Sequence, residues 1–386
     1  MDEVEVLRAL LEEYSPSGQE GGAVRRFLEL SRGLGLEGRS DAAGNGIASI
    51  GDGPPTVLFL GHIDTVEGAL PIRMVDDRLH GRGACDAKGP LAAALLAASH
   101  HAGPGEIVVI AAVGEERDSR GARHLLASRP RPDFLLVGEP SGWDSVTIGY
   151  KGNLSLVLRV EGDRTHLSGP DPTTVERGLA LVEGLRAYCD SRQGKTRFGS
   201  LTMKVVSINT IRVGGREQVE IAVNLRLPSR LPAADILRSV QRPVAGARWE
   251  IVDHSEAVEV DPRNEVVSAL CAGIREQRGR PTLLRKLGTS DLNLAVPAWE
   301  CPAAAYGPGD SHLDHTDEEN LPIVDFQRSI AVLEVAFSRL TRGPSRAAAG
   351  SHHTGNRCPS ACRQILRTRA ESAGLRVSCG GRARPK

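Results

Sequence analysis

Two kinds of hydrophobic pattern alternate along the first 150 residues. VEVLRALLEE and GGAVRRFLELSRGL repeat apolar residues every three or four positions, which predicts amphipathic helices. PTVLFLGH, EIVVIAAVGEE and DFLLVGEP are short apolar runs that stop at polar residues, which predicts buried strands, and GPLAAALLAASHH between them predicts an Ala/Leu-rich helix. This is the α/β alternation of a mostly parallel sheet flanked by helices, and such sheets bind ligands beyond the carboxyl ends of their strands. The predicted strand ends carry His62 and Asp64, then Glu115 and Glu116, then Glu139.

The texture changes near Tyr150. NLSLVLRVEGD alternates apolar and polar residues; a helix follows (TTVERGLALVEGLRAYC), then two alternating strands (LTMKVVSIN, QVEIAVNLRLP), a helix (AADILRSVQ) and a strand (RWEIVDH). Strand-helix-strand-strand-helix-strand predicts a small α+β (ferredoxin-like) unit, an antiparallel sheet with helices on one face. After Pro262 the first texture resumes with NEVVSALCAGIREQ, TLLRKLG, CPAAAYGPG and DFQRSIAVLEVAFSRL. The expected organisation is a large domain from residues 1–150 and 263–343, with 151–262 inserted into it and a tail at 344–386.

A chain of 386 residues suits two domains rather than one core. Its 40% hydrophobic and 25% charged residues are those of a globular protein. MDEVEVLRALLEE has no leader pattern and no run approaches the roughly 18 apolar residues of a membrane span. Seven scattered cysteines lack a disulfide-framework spacing, and together these features predict a cytoplasmic protein without a membrane partner. The zero formal net charge conceals an asymmetry. From Pro344 onward eight Arg and one Lys face the single acid Glu371, so the preceding chain carries about −8. The tail's composition predicts a disordered appendage, or a frame-shifted extension of the reading frame, rather than a nucleic-acid arm or a metal site at His352, Cys358 and Cys362.

The adjacent carboxylates Glu115 and Glu116 end a buried apolar run. Like charges there are costly unless something positive faces them or one is protonated; the alternative is a solvated strand-to-helix loop. His62, Asp64, Asp86, Glu115, Glu116, Glu139 and His315 together form a set of imidazoles and carboxylates without Cys, which suits borderline-hard divalent metals, zinc above all. Two metals need about that many ligands, one carboxylate bridging and one left to move protons.

GHIDTV (61–66), GRGACDAKGP (81–90), VGEE (113–116), VGEP (137–140), GTSD (288–291) and YGPGDSHLDHTDEE (306–319) occur in this order. With them the chain resembles the di-zinc amidohydrolases and exopeptidases that include acetylornithine deacetylases, succinyl-diaminopimelate desuccinylases and glutamate carboxypeptidases. The resemblance covers residues 1–342. It implies a zinc-hydrolase catalytic domain with a lid and dimerisation insert, a homodimer, and two zinc ions per subunit with cobalt as a substitute. His62 and Glu139 would complete one metal site, Glu116 and His315 the other, and Asp86 would bridge them. Asp64 would orient His62, Glu115 would carry the proton, and His166 would reach across the dimer to steady the oxyanion. His312 is the alternative to His315. Arg226, Gly288 and Thr289 would meet the substrate. The implied activity is hydrolysis of a linear amide.

Within the family, VGEPSGWDSVTIGYKG and YGPGDSHLDHTDEE are most similar to the branch that releases lysine or ornithine from an acidic amino-group carrier protein in lysine and arginine biosynthesis. Acetylornithine deacetylation or another small-molecule deacylase or dipeptidase activity is the alternative, and a non-catalytic binding protein a more distant one. Desuccinylases continue GTSD with Gly-Arg, whereas Leu292 and Asn293 stand here. An acidic carrier would need a basic rim, for which Arg117, Arg120, Arg123, Lys151, Arg212 and Arg216 are the candidates.

Overall fold

The structure is a computed structural model that describes residues 2–342 except 164 and 241–245. The tail at 344–386, with His352, Cys358 and Cys362, lies outside the described residues. The described residues form three sheets. In the largest, Thr56–His62 lies at the centre, parallel to Gly105–Ala112 on one side and Phe134–Val137 on the other. Ala303–Ala305 continues the parallel run beside Phe134–Val137, and Thr282–Lys286 runs parallel to Ser145–Tyr150. Gly46–Asp52, followed by Glu37–Ser40, adds antiparallel strands to one edge, and Val258–Glu259 pairs antiparallel with Ser145–Tyr150 at the other. The expected mostly parallel sheet is therefore a parallel centre with antiparallel borders.

Burial follows the pattern. Val57, Leu58, Phe59 and Leu60 are at most 1% exposed, as are Val108, Val109 and Ile110 on the neighbouring strand. A strand covered on both faces reads as a continuous apolar run, which is why these two were legible. The helix Lys88–Ser99 is buried on every side apart from its last residue, its alanines fitting between the sheet and the helix Ile323–Thr341. The first helix, Glu3–Leu11, begins at Asp2, whose carboxylate accepts the Val4 and Glu5 N–H groups, and it buries Val6, Leu7, Leu10 and Leu11.

Gly152–Asp163, Thr202–Val213, Arg216–Leu227 and Ala247–Ser255 form a separate four-stranded antiparallel sheet, with Gly152–Asp163 between Arg216–Leu227 and Ala247–Ser255. Its core joins Leu154, Leu156, Leu158 and Val160 to Val182 and Leu185 of the helix Thr174–Asp190. That helix starts in a capping box, Thr173 and Glu176 each satisfying the other's backbone N–H. Thr202–Val213 extends past the apolar stretch LTMKVVSIN because the hairpin turns only at Gly214 and Gly215, both at positive φ (55° and 85°). The third sheet is small: Arg73–Val75, Arg78–His80 and Asn320–Pro322. No described helix is long and apolar enough to cross a membrane, and the described cysteines Cys85, Cys189, Cys271 and Cys301 are free and buried.

Candidate metal centre

Parallel pairing brings three strand ends to one edge. His62 stands opposite Ala112, three residues before Glu115, and Leu60 stands opposite Val137, two residues before Glu139. Gly114, at φ 76°, turns the chain out of its strand. The backbone N–H groups of Glu115 and Glu116 then both point at the Asp64 carboxylate, at 3.1 Å each. Asp64 also accepts the Ser17 hydroxyl at 2.6 Å. This buried carboxylate is thus surrounded by donors and organises the His62 and Glu115–Glu116 segments together.

His62 Nδ1 lies 3.0 Å from the Asp64 carbonyl oxygen and 3.6 Å from its carboxylate. Donation from Nδ1–H leaves the Nε2 lone pair facing outward, and Nε2 lies 3.1 Å from Asp86 Oδ1. From the opposite side His315 Nε2 lies 3.1 Å from Asp86 Oδ2 and 3.0 Å from Glu116 Oε1. Each imidazole addresses a different oxygen of the same carboxylate. Donor atoms of His62, Glu115 and Glu116 fall within 4.8 Å of one another, as do those of Asp86, Glu116 and His315, so both groups could hold a metal ion. Glu139 is buried and lines the same cavity. His312 is highly exposed and turned to Asp310 rather than to this cluster.

The electrostatics fit a cation. Burial pushes the Glu115 carboxyl well above the usual range, with Glu139, Asp291 and Glu116 adding to the effect against His62. Burial and the Asp86 charge do the same to Glu139. Asp86 goes the other way: burial alone would raise it, but hydrogen bonds from His315 and His62 hold it well below the carboxylate range. His315 is pushed up to about 10 by its bonds to Asp86 and Glu116. Burial disfavours a charged His62 ring, yet Asp64 and Asp86 outweigh it and raise its pKa. Carboxylates and imidazoles that draw protons to themselves mark a site that favours positive charge, and a divalent cation taking the place of those protons would find nitrogen and oxygen donors.

The cavity over this cluster measures about 630 Å³, and Arg226, Gly288 and Thr289 stand on its wall with Asp86, Glu115 and His315. Arg226 Nη1 lies 3.4 Å from the Thr289 hydroxyl. His166 is not on that wall. It is exposed, and its Nδ1 accepts the Ser168 N–H at 3.2 Å. Leu292 and Asn293 are both buried, and Asn293 donates to the carbonyls of Lys151 and Glu256.

Of the expected basic rim, only Arg117 and Arg123 line the cavity. Arg120 is paired with Glu20, Arg212 with Glu217 and Arg216 with Asp163. Lys151 is 1% exposed, its ammonium donating to the Arg197 and Ser200 carbonyls, and burial brings its pKa down to about 8. The sequence reading missed Ser17, which no motif marks, and Lys286, which also lines the cavity.

The pattern of peptidase family M20/M25/M40 matches residues 58–339. The chain belongs to this family. One curated relative, the [LysW]-lysine hydrolase of Deinococcus radiodurans, is 37% identical over 88% of this chain and 97% of its own length. The [LysW]-lysine/[LysW]-ornithine hydrolase of Sulfurisphaera tokodaii is 31% identical over 83% of this chain and 90% of its own. Among solved structures, the aminopeptidase PepT of Bacillus cereus matches with a TM-score of 0.69 at 17% identity, over 89% of this chain and all of that one. At that identity the likeness carries the M20 fold alone. The matched span of the M20 pattern holds every residue of the cluster, from His62 to His315.

Proposed function

We propose that this M20 chain is a metal-dependent amide hydrolase that releases lysine or ornithine from a LysW-type amino-group carrier protein. The observation that carries the reading is the convergence of His62 and His315 on the two oxygens of Asp86, beside Glu115, Glu116 and Glu139 in one cavity. In this reading His62, Glu139 and Asp86 hold one cation and Asp86, Glu116 and His315 the other, zinc in both places with cobalt able to substitute. Such a pair, when bound, polarises the scissile carbonyl and acidifies a water at neutral pH.

The protein side chains supply the rest. Asp64 fixes the His62 tautomer, so that Nε2 remains the outward-facing atom. Glu115, on the cavity wall beside the ligands, takes a proton from the attacking water on its carboxylate oxygen and returns it to the departing amine. Arg226 presents a guanidinium to the carboxylate of the amino acid, with the Gly288 backbone and Thr289 beside it. Buried Leu292 and Asn293 stand where desuccinylases carry Gly-Arg, which favours an acyl group other than succinyl. We assign the chemistry to a catalytic domain at 1–150 and 263–343, and a lid and dimerisation role to 151–262. A homodimer would bring His166 to the other subunit's cavity as an oxyanion donor.

A side-by-side assay of carrier-linked lysine, carrier-linked ornithine and N-acetylornithine tests the reading. Faster turnover of a carrier conjugate is expected. Faster turnover of N-acetylornithine would assign the chain to the deacetylases.

A further inference from the structure

Behind the metal cluster lies a buried ion pair that the chemistry above does not use. Arg82 and Glu319 meet at 2.9 Å, their side chains 5% and 1% exposed. Glu319 Oε1 accepts three backbone N–H groups, from Gly83 and Cys85 at 3.0 Å and from Asp86 at 3.1 Å. Arg82 reaches two other segments, donating Nε–H to the Gly68 carbonyl at 2.9 Å and Nη1–H to the Thr316 carbonyl at 2.8 Å. The Glu319 carbonyl closes the arrangement by accepting the Gly81 N–H at 3.2 Å.

These contacts join three stretches of chain. One follows His62 and Asp64, one ends at Asp86, and one runs from His315 to Glu319. A buried ion pair is weak evidence for stability, since desolvating both charges offsets most of their attraction. Its value lies in geometry. A single carboxylate oxygen collecting three N–H groups fixes the backbone that presents Asp86. A guanidinium bonded to the carbonyl next to His315 ties that loop to the same point. His315 has no strand to hold it: it is in a loop, at φ 63° and with a side chain 51% exposed.

We propose that the Arg82–Glu319 pair is a positioning device that sets the spacing between Asp86 and His315, and with it the affinity for the cation those two share with Glu116. The proposal rests on the metal-centre reading above. Neither residue touches the donor atoms; both act through the backbone on either side of them.

The test is calorimetric titration of metal-free protein with Zn²⁺, beside thermal unfolding of the same samples. Glu319→Gln keeps an oxygen for the three N–H groups but turns an amide donor toward Arg82. Arg82→Lys keeps the charge, yet one ammonium cannot reach Gly68, Thr316 and Glu319 at once. Each should weaken one of two binding events by about 10–100-fold, the usual effect of losing a partner behind a metal ligand, while the other event changes less. Glu318→Gln, at an exposed neighbour, should leave both events as they are. Two unchanged dissociation constants in folded Glu319→Gln or Arg82→Lys protein, even with a lowered Tm, would reduce the pair to a structural contact and overturn the proposal. Failure of the unmodified protein to bind Zn²⁺ would instead overturn the metal-centre reading, and this inference with it.

Discussion

The two imidazoles that meet at Asp86 are held in opposite ways. His62 ends a central parallel strand, its side chain is 2% exposed, and both ring nitrogens have partners. His315 stands in a loop, half exposed, with Nε2 as its anchoring atom. The first position is set by the hydrogen-bonded register of Thr56–His62 against two neighbours. The second depends on what grips the loop. One half of the centre is therefore built into the sheet and the other is fastened to it, and the fastened half is where affinity can be tuned without disturbing the core.

Glu115 and Glu116 stand where the two halves meet, and changes there should have the largest effects. Glu115→Gln should lower kcat by about 10²–10⁴-fold while bound metal stays the same, the range expected for loss of a general base. Glu116→Gln should lose metal from the His315 side. Elemental analysis alongside kinetics separates the two, and equal metal loss in both would erase the division of labour.

Next in size is the sheet-built half. Asp64→Asn removes the anion that the His62 ring and the Glu115 and Glu116 N–H groups share, and should weaken metal binding by about 10–100-fold. If the comparison holds, the event weakened more here is the one that changes less in Glu319→Gln. The same event weakened more by both variants would merge the halves into one unit.

Hydrogen exchange sharpens the contrast. Adding Zn²⁺ should slow exchange across residues 310–318 strongly and across 56–62 little, because the strand is already protected by its ladder on both sides. Similar slowing in both segments would mean that the strand end is no firmer than the loop. The smallest effect belongs to Ser17→Ala, which deletes one 2.6 Å hydrogen bond to Asp64 and should raise the metal dissociation constant only several-fold.

The same contrast governs what could be read from the chain before its structure. His62, Glu115, Glu116 and Glu139 were visible because apolar runs end at them, and parallel strands deliver such ends to one edge. NLSLVLRVEGD announced its strand by strict alternation, matched by the alternating burial of Gly152–Asp163. Asp86 and His315 carry no such periodic signal; their chemistry put them in the donor set, and the resemblance alone gave them roles. GIASIGD and SVTIGY form strands at Gly46–Asp52 and Ser145–Tyr150, but their small residues and glycines hide the pattern. LNLAVPAW contains Pro297 and still forms the helix Leu292–Trp299. Lys151 shows the remaining gap: its charge is plain in the sequence, but carbonyls contributed from Arg197 and Ser200 draw it inward. Charge is local information, and burial is not.

The central claim is that this cluster hydrolyses a carrier-linked amide with metals in place. Its most direct test is release of free amino acid from carrier-linked lysine by metal-free protein as Zn²⁺ is added back, with bound metal measured in the same samples. Release should be absent without metal, rise as ions bind, level off at two per chain and vanish again with a chelator. Full release from metal-free protein, or none with two ions bound, would contradict the account.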